Sequence, residues 1–200
     1  MSKILSWGAV DIYARKYNGS SVGSTWVKFD AAVEGSVSLE TTEGDKTEAK
    51  VEGGELEAVR RSRSTYALSL QERIGAGFTY AINDTDGIID GEWEVVLKPT
   101  ENATAPAMYI PKATASASDS YSSADGTIHT TKFDALKNTV KVGPSGSQFD
   151  AGQVIWGECT IDTTNDKPSS FYAYKDTASS KANLITQPVT NGGGGGGGTA

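Results

Sequence analysis

Apolar and polar residues alternate with a period of two along much of this chain, which is the signature of half-buried β-strands. In Val33–Glu40 one face reads Val33, Gly35, Val37, Leu39 and the other Glu34, Ser36, Ser38, Glu40. In Tyr66–Glu72, Tyr66, Leu68 and Leu70 oppose Ala67, Ser69 and Gln71. In Glu92–Lys98, Trp93, Val95 and Leu97 oppose Glu92, Glu94, Val96 and Lys98. Trp7–Ile12 and Thr25–Phe29 read as short strands around a Tyr17–Ser24 turn region, with Asn18-Gly19 as its hairpin signal. Met108–Ser118 and Thr127–Leu136 form the clearest hairpin, turned by Asp125-Gly126, and Pro111 implies an edge or a bulge in its first arm. A final pair is expected from Thr139–Val142 and Gln153–Asp162, with order doubtful beyond Asp162 and Phe171, Tyr172 and Tyr174 as candidate anchors. The one helix candidate is Ile74–Asn83, with Ile74, Phe78, Ala81 and Ile82 at helical spacing and Gly75 and Gly77 opposing it.

The connection between the strands ending near Glu40 and beginning near Tyr66 breaks this pattern. Neighbouring strands in compact domains are joined by about 2–6 residues. Here Thr41–Ser64 runs on, charged and glycine-punctuated, with almost no apolar anchors. Such an arm is expected to pack outside its own subunit. Arg60, Arg61 and Arg63 form the only dense basic cluster, and Glu43, Asp45 and Glu48 on a neighbouring copy are its candidate partners; a solvated loop is the plain alternative.

Composition narrows the function. A hydrophobic fraction of 37%, with Gly, Ser, Thr and Ala filling the difference, allows a thin core and suits sheets wetted on one face. The net charge of −7 argues against nonspecific nucleic-acid binding, which runs on Lys and Arg. Cys159 is the single cysteine, so no internal disulfide forms. The apolar run at the N-terminus is short for a signal peptide, and nothing approaches the roughly 18 apolar residues of a membrane span. The expectation is a soluble protein made in a reducing compartment.

Chemistry is sparse. His129 is the single histidine, and no G-x-S-x-G elbow accompanies it, so it reads as a strand-wall residue rather than a catalytic base. One Cys and one His do not make a zinc site. Asn83–Gly87 superficially suggests a calcium loop, but EF-hand spacing puts Ile82 first and Trp93 twelfth, where a Glu belongs; a turn fits better. Gly192–Gly198 lacks the Lys-Ser/Thr of a phosphate loop. Trp93 and Trp156 read as core aromatics rather than a sugar platform. No cofactor, metal or enzymatic activity is expected.

Gly35–Glu72, Asp86–Asn102 and Ser123–Lys137, with the strands between them, resemble the major tail protein of long-tailed phages, the tail-tube subunit. The resemblance spans roughly two thirds of the chain. It implies an all-β fold with one short helix, an antiparallel β-sandwich or barrel whose inner sheet joins neighbouring subunits in a ring. It divides the chain into a tube-like β domain over 1–162 with an arm at 41–64, a C-terminal extension over 163–190 and a flexible Gly-rich tail over 191–200. Rings, usually hexameric, would stack into a tube, with Thr41–Ser64 reaching the adjacent ring, poorly ordered in the monomer and ordered on assembly. Four inner strands from each of six subunits, spaced ~4.8 Å and tilted ~40°, give a barrel on the order of 45–50 Å across. Glu34, Glu40, Gln71 and Glu94 are the candidate lumen residues, whose negative charge would keep DNA mobile. The implied partners are the protein itself, other tail proteins and DNA in transit without specific binding, and the implied location is the virion tail, assembled in the host cytoplasm. Rival readings are a capsid decoration protein, a secretion tube, or a carbohydrate-binding β-sandwich.

Overall fold

The computed structural model describes residues 8–17, 25–50 and 56–186. Among them the protein is all-β, built from β1 (Val10–Lys16), β2 (Val27–Lys28), β3 (Ser38–Thr42), β4 (Lys46–Lys50), β5 (Leu56–Arg61), β6 (Thr65–Ile74), β7 (Ile88–Pro99), β8 (Ala107–Ser122), β9 (Gly126–Ala135), β10 (Lys141–Val142), β11 (Phe149–Asp150), β12 (Ile155–Asp162) and β13 (Lys167–Ala173). Nine strands form one open antiparallel sheet in the order β2-β1-β7-β8-β9-β6-β3, with β12 added to β8 and β13 to β12. Two-stranded pairs, β4-β5 and β10-β11, stand apart from it.

The long strand β8 organises the sheet. Its first residues, Ala107–Tyr109, pair with β12, and from Ala113 onward the same edge pairs with β9. Pro111 falls between the two partners, where it has no ladder bond to donate, and beside a register shift against β7. The β8–β9 hairpin closes on Ser122↔Gly126 with Gly126 at φ +78°, and the Ser122 hydroxyl accepts the Asp125 N–H at 2.9 Å. Its Asp-Gly turn is the one read from the sequence.

Two cores lie on opposite faces of this sheet. The first follows the alternation of the strands, with Leu39, Leu68, Phe133, Ala115 and Ile89 in one transverse row. Phe29 covers it, with its ring edge-on to Phe133 at 5.9 Å. The second gathers Tyr13, Val96 and Tyr109 on the other face beneath Ile155, Cys159, Phe171, Ala173, Leu184 and Ile185. Residues 163–186, read from the sequence as an extension of doubtful order, thus supply β13 and part of a core. Phe171 is a fully buried anchor, whereas Tyr172 is half-buried and Tyr174 exposed.

Several expected elements differ. The Ile74–Asn83 helix does not form: Ile74 ends β6, and turns and irregular backbone follow, with Gly77 at φ +88°. Two glycines remove the helical preference that four spaced apolar residues require. The Val33–Glu40 strand starts late, because Glu34-Gly35 turns the chain, with Gly35 at φ +72° and Ser36 N–H donating to the Val33 carbonyl at 3.0 Å. Thr139–Val142 does not pair with Gln153–Asp162; β10 takes β11, and β12 takes β13 and β8. The Tyr17–Ser24 turn beyond Tyr17, and the Gly-rich tail, lie outside the described residues.

Candidate assembly surfaces

The face of β3, β6, β9 and β8 turned away from the first core carries small hydroxylated and charged side chains in register. One row reads Ser38, Ser69, Lys132, Ser116, and the next Glu40, Ala67, Asp134, Thr114. A third brings Gln71, Thr130 and Ser118 together. The Ser38 and Ser69 hydroxyls lie 2.9 Å apart, and Lys132 pairs with Asp134 at 3.2 Å. Thr114, Ser116, Ser118 and Ser120 are all exposed. This surface ends at β3, whose outer edge has no strand partner among the described residues.

Of the expected wet-face residues, Glu40 is exposed on this surface and Gln71 is half-buried in it, while Glu34 is exposed in the turn before β3. Glu94 is not there. It is 4% exposed and held by Arg15, whose Nη2 donates to Oε2 at 2.6 Å and whose Nε donates at 3.0 Å. The Tyr109 hydroxyl donates to the same oxygen at 3.0 Å, and the Arg15 Nη2 also donates to the Ile185 carbonyl at 2.7 Å. Burial raises the Glu94 pKa, with Arg15 and Tyr109 pulling the other way. The cause of the correction is the second layer: β7 is covered on both faces, so Glu94, Val96 and Lys98 point into protein. Lys98 donates to the Ala103 and Ala105 carbonyls at 2.8 and 3.0 Å, and burial lowers its pKa. Charge on the wet face itself is mixed, with Glu40 and Asp134 set against Lys132.

The arm leaves this surface directly. Thr42 pairs with Thr65, and between them β4 pairs with β5, with Lys46 opposite Arg61 and Glu48 opposite Val59. None of its described side chains belongs to either core. The charged residues find partners within the chain: Arg61 reaches Glu43 at 3.5 Å, Arg63 reaches Asp150 at 3.4 Å, and Lys46 pairs with Glu48. Asp45 is exposed, and its backbone carbonyl accepts the Ser62 N–H at 2.9 Å. Arg60 is exposed opposite Thr47, on the face away from Arg61. The Arg61–Glu43 pair is exposed and therefore weak, on the order of 0.2–1 kcal/mol, so it leaves both groups open to exchange of partners.

A third polar feature was not anticipated. Glu72, His129 and Asp119 form one transverse row across β6, β9 and β8, on the core side. His129 is 3% exposed, its Nδ1 is 2.7 Å from Asp119 Oδ1, and Tyr80 packs edge-on at 4.9 Å. Glu72 is 1% exposed and accepts the Asp30 N–H at 2.8 Å, which fastens the Phe29–Asp30 segment over the first core. Burial raises the Glu72 pKa. The signal was present in the alternation: Tyr66, Leu68 and Leu70 continue to Glu72.

Trp156 also departs from expectation. It is 45% exposed rather than a core aromatic, beside Tyr174 at 43%, whose N–H donates to the Trp156 carbonyl at 2.9 Å. Trp93 is half-buried against the first core. No group of His, Cys, Asp and Glu suited to a metal occurs among the described residues. No protein-family model and no curated protein matches the chain.

Proposed function

We propose that this chain is a phage tail-tube subunit, a non-enzymatic structural protein that closes into rings and stacks into a conduit for DNA. The observation that carries this reading is a four-stranded face of hydroxyl and mixed-charge side chains that ends at the unpaired edge of β3 and continues into a charged hairpin. An unpaired edge is an aggregation hazard in a monomer. Pairing it with the opposite side of the next subunit's sheet removes the edge and extends the wet face round a ring. Serine and threonine hydroxyls keep such a bore hydrated, and Glu40 and Asp134 offset Lys132 and Arg73 there, so that no basic stripe grips phosphate. The β4-β5 hairpin then supplies the contact between stacked rings, by exchanging its weak intrachain ion pairs for pairs with the next ring.

The test is assembly. Concentrated protein examined by electron microscopy is expected to show rings or tubes, and a strict monomer under all conditions contradicts the reading. Replacing Arg60, Arg61 and Arg63 with Ala is expected to weaken stacking while the subunit stays folded; unchanged tubes at the same salt would make the cluster a solvated loop.

The exposed Trp156–Tyr174 pair favours a second reading, a carbohydrate-binding β-sandwich that stacks sugar on these rings. It predicts a shift in tryptophan fluorescence on titration with glycans that is lost in Trp156→Ala.

A further inference from the structure

The sheet branches at β8, so besides β2 and β3 it has a third end, β13, whose outer edge has no strand partner among the described residues. An edge strand is a template for pairing with another chain unless charge, proline, a bulge or a cover blunts it. Lys167, Pro168 and a register shift against β12 stand at the start of β13, and Lys175 follows its end. Between them residues 169–173 carry no charged side chain, and the backbone groups of Ser169 and Phe171 face outward.

Those groups are met by residues 182–186 of the same chain. The Phe171 carbonyl accepts the Leu184 N–H at 2.9 Å. Asn183 takes the other two with its side-chain amide: Oδ1 accepts the Phe171 N–H at 3.0 Å, and Nδ2 donates to the Ser169 carbonyl at 3.2 Å. A primary amide offers the acceptor and donor of a peptide group but no further backbone, so it satisfies the edge without presenting a new one. The cover is anchored on both sides. Asp176, 3% exposed, accepts the N–H groups of Gly143, Ala178 and Ala182 at 3.1, 3.0 and 3.1 Å, and Leu184 and Ile185 are buried in the second core.

We propose that the β13 edge is a self-association site, held shut by residues 182–186 of its own chain with Asn183 as the blocking group. The partner it fits is the same strand of a second copy. Antiparallel pairing about a two-fold axis at Phe171 lets each Phe171 exchange N–H and carbonyl with its counterpart, so the edge is complementary to itself. That register sets Ser170 opposite the partner's Tyr172 in a non-hydrogen-bonded pair, with Cα atoms ~4.5 Å apart and within reach of a disulfide. The site is separate from the β3 edge and independent of any ring.

The experiment is disulfide cross-linking of full-length chains in dilute solution. Chains carrying Ser170→Cys are mixed with chains carrying Tyr172→Cys, and peptide mass mapping separates their crosslink from any made by Cys159. With Leu184→Ala added to both chains, which removes an anchor and keeps the amide, the yield is expected to stay near that of the parent mixture. With Asn183→Ala and Leu184→Ala together, the crosslink between positions 170 and 172 is expected to rise several-fold. Equal yields from these two backgrounds, or no crosslink from either, overturn the proposal. Asn183→Ala alone gives a second readout: amide exchange at Phe171 is expected to speed by about tenfold or more while β8 and β9 keep their protection, and an unchanged rate contradicts the proposal.

Discussion

At the level of single residues, the buried polar groups carry the sharpest consequences. Arg15 and Glu94 are each 5% exposed at the side chain, with the Tyr109 hydroxyl donating to Glu94 and the Ile185 carbonyl accepting from Arg15. Breaking such a pair from one side leaves an uncompensated buried charge, at a cost of about 3–5 kcal/mol. Arg15→Ala is therefore expected to lower the urea midpoint strongly and to release the segment around Ile185, seen as faster amide exchange there; a midpoint near that of the wild type contradicts this. Glu72 gives a pH dependence. Its folded pKa is raised, so the native state holds a proton that the unfolded state releases, and stability falls as pH rises from the ordinary carboxylate range through the raised value. Glu72→Gln keeps an acceptor for the Asp30 N–H and removes this slope. Thermal melts across that window are expected to converge at low pH and to favour the variant at neutral pH; parallel curves would show that Glu72 titrates alike in both states.

At the level of elements, the alternation read from the sequence placed β6 well, because it has one wet and one buried face and period two reports that asymmetry directly, and the Asp125-Gly126 turn placed β8 and β9. The alternation failed for β7, where Glu94 and Lys98 seemed to mark a solvent face. Val96 between them was the legible sign of a second layer, but the covering residues lie far along the chain in β12, β13 and Leu184–Ile185. Long-range cover of this kind leaves little trace in a local window. The helix expectation failed for a local reason, since Gly75 and Gly77 outweighed the spacing. The arm was legible as an anomaly, yet its β4-β5 pairing was not, because alternation of charged with small residues marks no face as buried. An isolated two-stranded hairpin is marginally stable at best. In the free subunit its amides are expected to exchange much faster than those of β8 and β9, and to gain protection on assembly. Because Thr42 already pairs with Thr65, replacing Glu43–Ser64 by a two-residue Asn-Gly turn is expected to leave the fold intact and abolish stacking. Equal tube formation by that variant would remove the arm from the mechanism.

At the level of the whole molecule, an open sheet poses the question of how its edges are satisfied. One end is finished by the short strand β2, and the other, β3, has no strand on its outer edge among the described residues and lies beside a wet face and a projecting arm. The proposed ring joins these ends across subunits, so the same surface that makes the isolated chain prone to association lines the assembled bore. The central claim is thus one of symmetry and orientation. Its most direct measurement is cryo-electron microscopy of the purified, concentrated protein viewed down the particle axis. The account predicts closed rings with β3, β6, β9 and β8 facing a central channel wide enough for a DNA duplex. Rings whose channel is lined by the β12-β13 layer, or particles that remain single subunits, would contradict it.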